Sequence, residues 1–149
     1  MTLRHDLYFK GVSQHIVEHA CNHAKKSVMT HKHACIIFKH NKIVSIALND
    51  YCNSKYYFKF SSPYSLHAEI KAVMCSSKDI SGYSLLVVRV NNRGELLNSK
   101  PCMLCTQYLK NTQLKKIYYS TDEGSIECVK KNQLESEHLS FGCRVQNKF

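Results

Sequence analysis

Two short motifs carry the residue types that a catalytic metal site requires. The first is His67-Ala68-Glu69, and the second is Pro101-Cys102-Met103-Leu104-Cys105. One imidazole and two thiols can supply three ligands to a zinc ion, which leaves the fourth tetrahedral position open for water. Zinc lowers the pKa of bound water to about 7, so hydroxide is available near neutral pH. Glu69 is then a carboxylate beside the site that can act as general acid and base.

The pattern of apolar residues predicts elements that bring the two motifs together. We expect helices over roughly residues 6–27, 67–77 and 102–112, with Pro101 suited to the first turn of a helix. We expect strands over residues 34–39, 43–48, 83–90, 116–120 and 125–130, the last two forming a hairpin. This order predicts an α/β fold with three α/β/α layers. Residues 133–149 are expected to be irregular or a short helix.

Size and composition favour a single domain spanning residues 1–149. Hydrophobic residues make up 44% of the chain, which supports a buried core and argues against disorder. No segment resembles a signal peptide or a membrane span, so we expect a soluble intracellular protein without a membrane partner. Of the eight cysteines only two form a tight C-x-x-C pair. Reduced thiols with a metal site are therefore favoured over a secreted disulfide framework.

The charge balance points to an anionic partner. Lys and Arg total 21 against 11 Asp and Glu, a formal net charge of +10. Both a nucleotide phosphate and a single-stranded polynucleotide fit this excess, and charge does not choose between them. Arg89, Arg93 and Arg144 are candidates for holding a phosphate. Tyr57 and Phe60, interleaved with lysine, suit base stacking but fit packing on the core equally well.

A purely structural zinc site is the alternative reading of the same residues. Such a site is closed by a fourth Cys or His ligand. His31, His33, Cys52 and Cys75 are the candidates for that role. His31 and His33 fit a solvated strand entrance better than a ligand position.

The two motifs and their spacing resemble the cytidine deaminase superfamily, over roughly residues 31–119. The resemblance implies an α/β/α sandwich with a mixed five-stranded sheet. It also implies one catalytic zinc per chain, held by His67, Cys102 and Cys105, and a proton-shuttle role for Glu69.

The resemblance also implies residues that contact the substrate. Asn49, at the end of the second strand, matches an asparagine that contacts the sugar in many members of the superfamily. Ala68 matches a residue that faces the base. With these we assign Pro101, Tyr57 and Phe60 to the substrate site.

The resemblance leaves the substrate open. In having a histidine as the first ligand, the chain resembles the deoxycytidylate, tRNA adenosine and polynucleotide cytidine deaminases. In having a predicted hairpin at the end of the sheet, it resembles the free-nucleoside enzymes. We expect cytosine to be converted to uracil in a cytidine or deoxycytidine nucleoside or nucleotide. The alternatives are a deaminase acting on cytosine or adenosine in tRNA or single-stranded nucleic acid, and a non-catalytic relative that binds zinc or nucleic acid. Relatives commonly assemble, so a homo-oligomer is expected.

Overall fold

A mixed β-sheet forms the centre of the fold. The computed structural model describes residues 11–50, 67–76 and 78–136 of the 149-residue chain. Within these ranges the strands are β1 (Lys32–Lys39), β2 (Lys42–Leu48), β3 (Ser84–Val90), β4 (Leu96–Leu97), β5 (Lys116–Ser120) and β6 (Ile126–Lys130). Their order across the sheet is β2-β1-β3-β5-β6, and β4 pairs with the end of β3. β3 and β5 are parallel, and the other neighbouring pairs are antiparallel.

Within the same described ranges, three α-helices cover the two faces of this sheet. α1 (Gln14–Ala24) packs on one face, and α2 (Ala68–Met74) and α3 (Met103–Lys110) pack on the other. A 3-10 turn, Lys131–Gln133, follows β6. The predicted three-layer α/β/α sandwich with a mixed sheet is thus confirmed, with the short β4 as a sixth strand.

The central strands are buried on both faces, and their residues alternate between the two. In β1, Ala34 and Ile36 pack with Ile16 of α1. Cys35, between them, packs with Ala68 of α2 on the opposite face. The continuous apolar run of β1 arises because both faces are covered, as the sequence predicts.

The first helix is shorter than the sequence predicts. Residues 6–10 of the predicted helix lie outside the described part of the chain. Ser13 is the N-cap of α1, and its side chain accepts a hydrogen bond of 3.3 Å from the backbone N–H of Ile16. Serine is among the preferred N-cap residues because its oxygen satisfies a free N–H of the first turn. Together with Gly11, Ser13 marks the helix start that hydrophobic spacing alone misses.

The connection between β3 and α3 differs from the prediction in two respects. Cys102 is the N-cap of α3 and the helix begins at Met103, so Pro101 precedes the cap and does not lie in the first turn. Proline suits this place because the chain there is extended and need not donate a helical hydrogen bond. Leu96–Leu97 pair with β3, although the strands predicted from the sequence do not include these residues. A two-residue strand is too short to show an alternation pattern.

The predicted final hairpin is confirmed. β5 and β6 are antiparallel, with Ser120 opposite Ile126 and Lys116 opposite Lys130. Gly124 lies in the turn with a φ of +81°, a conformation that glycine adopts without strain. Residues 137–149 lie outside the described part, so most of the predicted irregular C-terminal segment remains a prediction.

The sequence predicts reduced thiols and no membrane span, and the described cysteines and helices can be compared with both expectations. All six cysteines in the described ranges carry free thiols, while Cys52 and Cys143 lie outside those ranges. Among the described helices, none has both the length and the apolar character needed to cross a bilayer.

Replacing Gly11 by alanine tests how the chain before α1 packs against the sheet. Gly11 has a φ of +84°, and a Cβ there would lie 2.7 Å from Oη of Tyr118. We expect Gly11→Ala to lower the free energy of unfolding by about 2–4 kcal/mol, from backbone strain together with steric overlap. Gly82→Ala is the matched control, because Gly82 has a φ of +78° but open space around it; it should cost about 1–2 kcal/mol. Chemical denaturation measures both, and equal losses would contradict the close packing at Gly11.

Candidate metal centre

The two ligand motifs lie at the starts of α2 and α3. His67 is the N-cap of α2 and Cys102 the N-cap of α3, both with extended backbone. Neither side chain makes the hydrogen bond to its own helix that is usual at this position. Cys105 lies one turn into α3, on the same side as Cys102 because residues three apart are neighbours on a helix surface. The predicted meeting of the two helix starts therefore brings imidazole and thiols together.

The three ligand atoms are spaced for one zinc ion. His67 Nδ1 lies 3.1 Å from Cys105 Sγ and 3.5 Å from Cys102 Sγ. All three ligand atoms lie within 4.8 Å of one another. Zn–N bonds of about 2.0 Å and Zn–S bonds of about 2.3 Å, at tetrahedral angles, separate nitrogen from sulfur by about 3.5 Å. The cluster therefore fits one zinc ion with little rearrangement.

The electrostatics of the cluster require a cation if both sulfurs are to be thiolates. A hydrogen bond with Cys102 and complete burial raise the pKa of the Cys105 thiol well above its usual value. Burial opposes the charged form of His67, but the hydrogen bond and charge of Cys102 outweigh it and raise the pKa of the imidazole. A divalent ion would supply the missing positive charge, and its binding would release protons from these groups.

Glu69 lies beside the cluster, in the first turn of α2, and its residue is only 5% exposed. Its carboxyl is within hydrogen-bonding reach of Cys105. Burial raises the pKa of Glu69, against the opposing charge of His67. Burial and the charge of the nearby Glu69 carboxylate also raise the pKa of Cys35 in β1. A buried carboxyl with a raised pKa suits proton transfer near neutral pH.

No fourth protein ligand joins the cluster within the described residues. Cys75 is exposed just beyond the end of α2, and neither it nor His33 belongs to the group. His31 is exposed, whereas His33 is half-buried and less solvated than its predicted place at a strand entrance. Cys52 lies outside the described residues. The described part of the site therefore has the three-ligand form of a catalytic centre.

A buried pair of serines holds the chain that leads into α3. Ser120 Oγ donates to the carbonyl of Leu97 at 2.6 Å and accepts from the backbone N–H of Arg89 at 3.2 Å. Ser99 Oγ lies 2.8 Å from Ser120 Oγ and donates to the carbonyl of Val87 at 2.7 Å. Because Ser99 stands three residues before Cys102, these contacts anchor the cysteine motif to the ends of β3 and β5.

The side-chain amide of Asn49 is already engaged by neighbouring groups. Its Oδ1 accepts from Ser27 Oγ at 2.7 Å and from the backbone N–H of His33 at 3.0 Å. Its Nδ2 donates to the carbonyl of His31. These bonds tie the end of β2 to the start of β1 and to the segment after α1. The sugar contact that the sequence assigns to Asn49 remains a prediction.

The other predicted substrate residues differ in their placement. The side chain of Ala68 is fully buried in the core on the face of the sheet that packs against α2 and α3. Pro101 is buried next to Cys102, and its carbonyl accepts a 3.4 Å hydrogen bond from Thr106. Tyr57 and Phe60 lie outside the described residues. The roles of all four in substrate binding remain predictions.

His33 and Arg89, which the sequence offers only as members of larger groups of candidates, lie opposite each other in the pairing of β1 with β3. Burial lowers the pKa of His33 to about 4, so its imidazole is neutral at pH 7. Sequence alone offers Arg89 only as one of several arginines, because cross-strand register is needed to locate it.

The chain belongs to the family described as the cytidine and deoxycytidylate deaminase zinc-binding region. The family profile matches residues 11–121, which contain all three ligands and Glu69. Membership confirms the superfamily that the two motifs resemble and a zinc-binding deaminase domain. Comparison with curated proteins gives no significant match.

A solved structure of cytidine deaminase confirms the fold. Cytidine deaminase from Burkholderia pseudomallei is 16% identical, with a TM-score of 0.59 over 86% of this chain and 100% of that one. The dCMP deaminase of cyanophage S-TIM5, in complex with dCMP and dUMP, is 21% identical over 72% of this chain and 82% of its own, with a TM-score of 0.48. Its apo form is 24% identical over 72% and 84% of the respective chains, with a TM-score of 0.49.

Loss of any one ligand should abolish zinc binding. We expect the purified chain to hold one zinc ion, and His67→Ala, Cys102→Ser and Cys105→Ser to lower metal content by at least about tenfold, since two ligands remain. Cobalt substitution should give thiolate charge-transfer absorption in the wild type only. Cys75→Ser is the matched control, because Cys75 is free and exposed. A wild-type metal content in Cys105→Ser would contradict the assigned ligand set.

Ser120→Ala tests whether the serine pair supports the metal centre. The variant leaves the Leu97 carbonyl and the Arg89 N–H without their partner, so the free energy of unfolding should fall by about 1–3 kcal/mol. Zinc should also be lost more readily in chelator competition, since the segment before Cys102 is less firmly held. The exposed Ser125→Ala variant should match the wild type in both measurements. If Ser120→Ala retains zinc as well as the wild type does in chelator competition, the serine pair does not support the metal centre.

Proposed function

We propose that this chain is a zinc-dependent hydrolytic deaminase that converts cytosine to uracil in a cytidine or deoxycytidine nucleoside or nucleotide. One observation carries the proposal: His67, Cys102 and Cys105 form a three-ligand cluster with the Glu69 carboxyl buried beside it. Family membership supports deamination in general. The choice of cytosine, and of a small substrate, belongs to the proposal.

His67, Cys102 and Cys105 would hold the zinc ion, which when bound supplies an activated water near neutral pH. Glu69 would take the proton released as water adds to the ring, hold it on its carboxyl oxygen, and deliver it to the ring nitrogen. The same carboxyl would then take the second proton from the hydroxyl group added to the ring and pass it to the exocyclic amine, so that the C–N bond breaks, ammonia leaves and the ring carbon becomes a carbonyl. The raised pKa of the buried Glu69 favours this sharing of a proton.

The antiparallel pairing of β5 with β6 supports a small substrate. In the tRNA enzymes of the superfamily a helix generally separates the last two strands and makes them parallel, whereas the free-nucleoside enzymes have the antiparallel pair. This chain has a direct hairpin at that place.

A polynucleotide deaminase is the second candidate, and the formal net charge of +10 favours it. Strand binding releases counterions and weakens steeply with salt, whereas turnover of a mononucleotide changes far less. Activity on a short single-stranded RNA or DNA that falls by orders of magnitude between low and high salt would support this candidate.

Ammonia release from the zinc-loaded protein is the direct test. The panel comprises cytidine, deoxycytidine, their monophosphates, guanine, and short single-stranded RNA and DNA. Release from a cytidine or deoxycytidine compound, with formation of the matching uracil compound, is the expected result. Turnover of none of them by protein with a full zinc complement would overturn the proposed function and favour a non-catalytic relative.

Glu69→Gln should separate metal binding from catalysis. The amide is nearly isosteric but cannot carry the proton, so we expect zinc content to be retained and kcat to fall by about 10²–10⁴-fold. The exposed Glu127→Gln variant is the matched control and should retain wild-type turnover. Metal analysis together with ammonia-release kinetics checks both points. A Glu69→Gln enzyme with near-normal kcat would remove the assigned proton shuttle.

A further inference from the structure

Arg89 is a cation at the end of β3 whose charge the described protein does not balance. The residue is half-buried, and its Nε is buried without a hydrogen-bond partner. Within residues 11–50, 67–76 and 78–136, no carboxylate forms an ion pair with it. Buried charges are normally paired, because leaving one unpaired in a poorly solvated place is costly. An arginine in this state is suited to an anion that arrives from outside.

The strand register places Arg89 on the face of the sheet that carries the metal centre. Leu85 and Val87 of β3 pack toward α2 and α3, and side chains two apart on a strand share a face. Arg89 therefore continues that row, about 7 Å beyond Val87. Across the sheet it pairs with His33, just as Val87 pairs with Cys35, the residue close to Glu69. Arg89 thus lies at the rim of the same site.

The described ion pairs leave Arg89 without a carboxylate partner. Its cross-strand neighbour His33 is neutral at pH 7. Glu69 is occupied by the ligand cluster rather than by Arg89. Among the described residues, no carboxylate forms an ion pair with Arg89 that an incoming anion would have to displace.

We propose that Arg89 is the phosphate-recognising residue of this site, and that the substrate is a cytidine or deoxycytidine 5′-monophosphate rather than the nucleoside. This inference rests on the proposed function. A nucleotide whose ring amine lies at the metal carries its phosphate one sugar away, toward the rim of the site. The guanidinium fork can form paired hydrogen bonds to two phosphate oxygens, which satisfies the buried Nε.

The kinetic test compares wild type, Arg89→Lys, Arg89→Gln and the control Arg93→Gln. Arg93 is a second arginine four residues along, 86% exposed and 3.7 Å from Glu95, so it offers a matched loss of charge outside the site. We expect the wild type to prefer dCMP to deoxycytidine in kcat/KM. Arg89→Gln should lower the ratio of these two kcat/KM values by about 10- to 100-fold, Arg89→Lys by less, and Arg93→Gln not at all. Equal losses on both substrates, or an unchanged ratio, would overturn the role of Arg89.

A binding measurement keeps this proposal separate from the proposed function. Calorimetry of inorganic phosphate and of dUMP with the zinc-loaded proteins needs no turnover. Binding that weakens at least tenfold in Arg89→Gln, with zinc content unchanged, supports the phosphate site even if no compound in the panel is deaminated. If the protein deaminates deoxycytidine but Arg89→Gln binds phosphate as tightly as the wild type does, the proposed phosphate site is wrong and the proposed function stands. If the protein prefers a single-stranded oligonucleotide to dCMP, and this preference falls steeply with salt, the substrate is not a monophosphate. Arg89 would then bind a backbone phosphate of the strand.

Discussion

The convergence of two helix starts on one point is the constraint on which the rest of the structure depends. His67 and Cys102 occupy N-cap positions on helices more than thirty residues apart, yet their ligand atoms lie 3.5 Å from one another. This is achieved because both helices pack on the same face of the sheet and begin at the same edge. The sheet, the buried core below it and the serine pair beneath the cysteine motif all maintain that placement.

The sequence predicts the parts of this arrangement that depend on local pattern. The apolar run of β1 and the turn at Gly124 locate strands and a hairpin, and the two motifs identify the ligands before any fold is known. Contacts between distant segments could not be obtained in this way. Ser99 and Ser120 look like ordinary polar residues in the sequence, and only the pairing of β3 with β4 and β5 shows that they bond to each other. The side-chain amide of Asn49 likewise accepts hydrogen bonds from Ser27 and from His33 of β1. The position of Asn49 at the end of a strand does not predict these partners.

Arg89 illustrates the same distinction in a functional residue. Three arginines are equivalent candidates for a phosphate contact when only charge is considered. Arg144 lies outside the described residues. Of the other two, the alternation of β3 places Arg89 on the metal face, where its buried Nε has no hydrogen-bond partner. The net charge of +10 does not by itself identify a residue that binds substrate. Such a residue can be identified only when a charged side chain is located near the metal site.

The hairpin at the end of the described fold has a consequence for how the sheet meets its surroundings. β6 is the outermost strand on its side, and Glu127, Cys128 and Lys130 are exposed along it. An open strand is a template for pairing with another molecule, and charged side chains on it discourage such growth. In the part of the chain that the structure describes, this side of the sheet therefore ends on a strand with exposed charged side chains, an arrangement that disfavours edge-to-edge pairing.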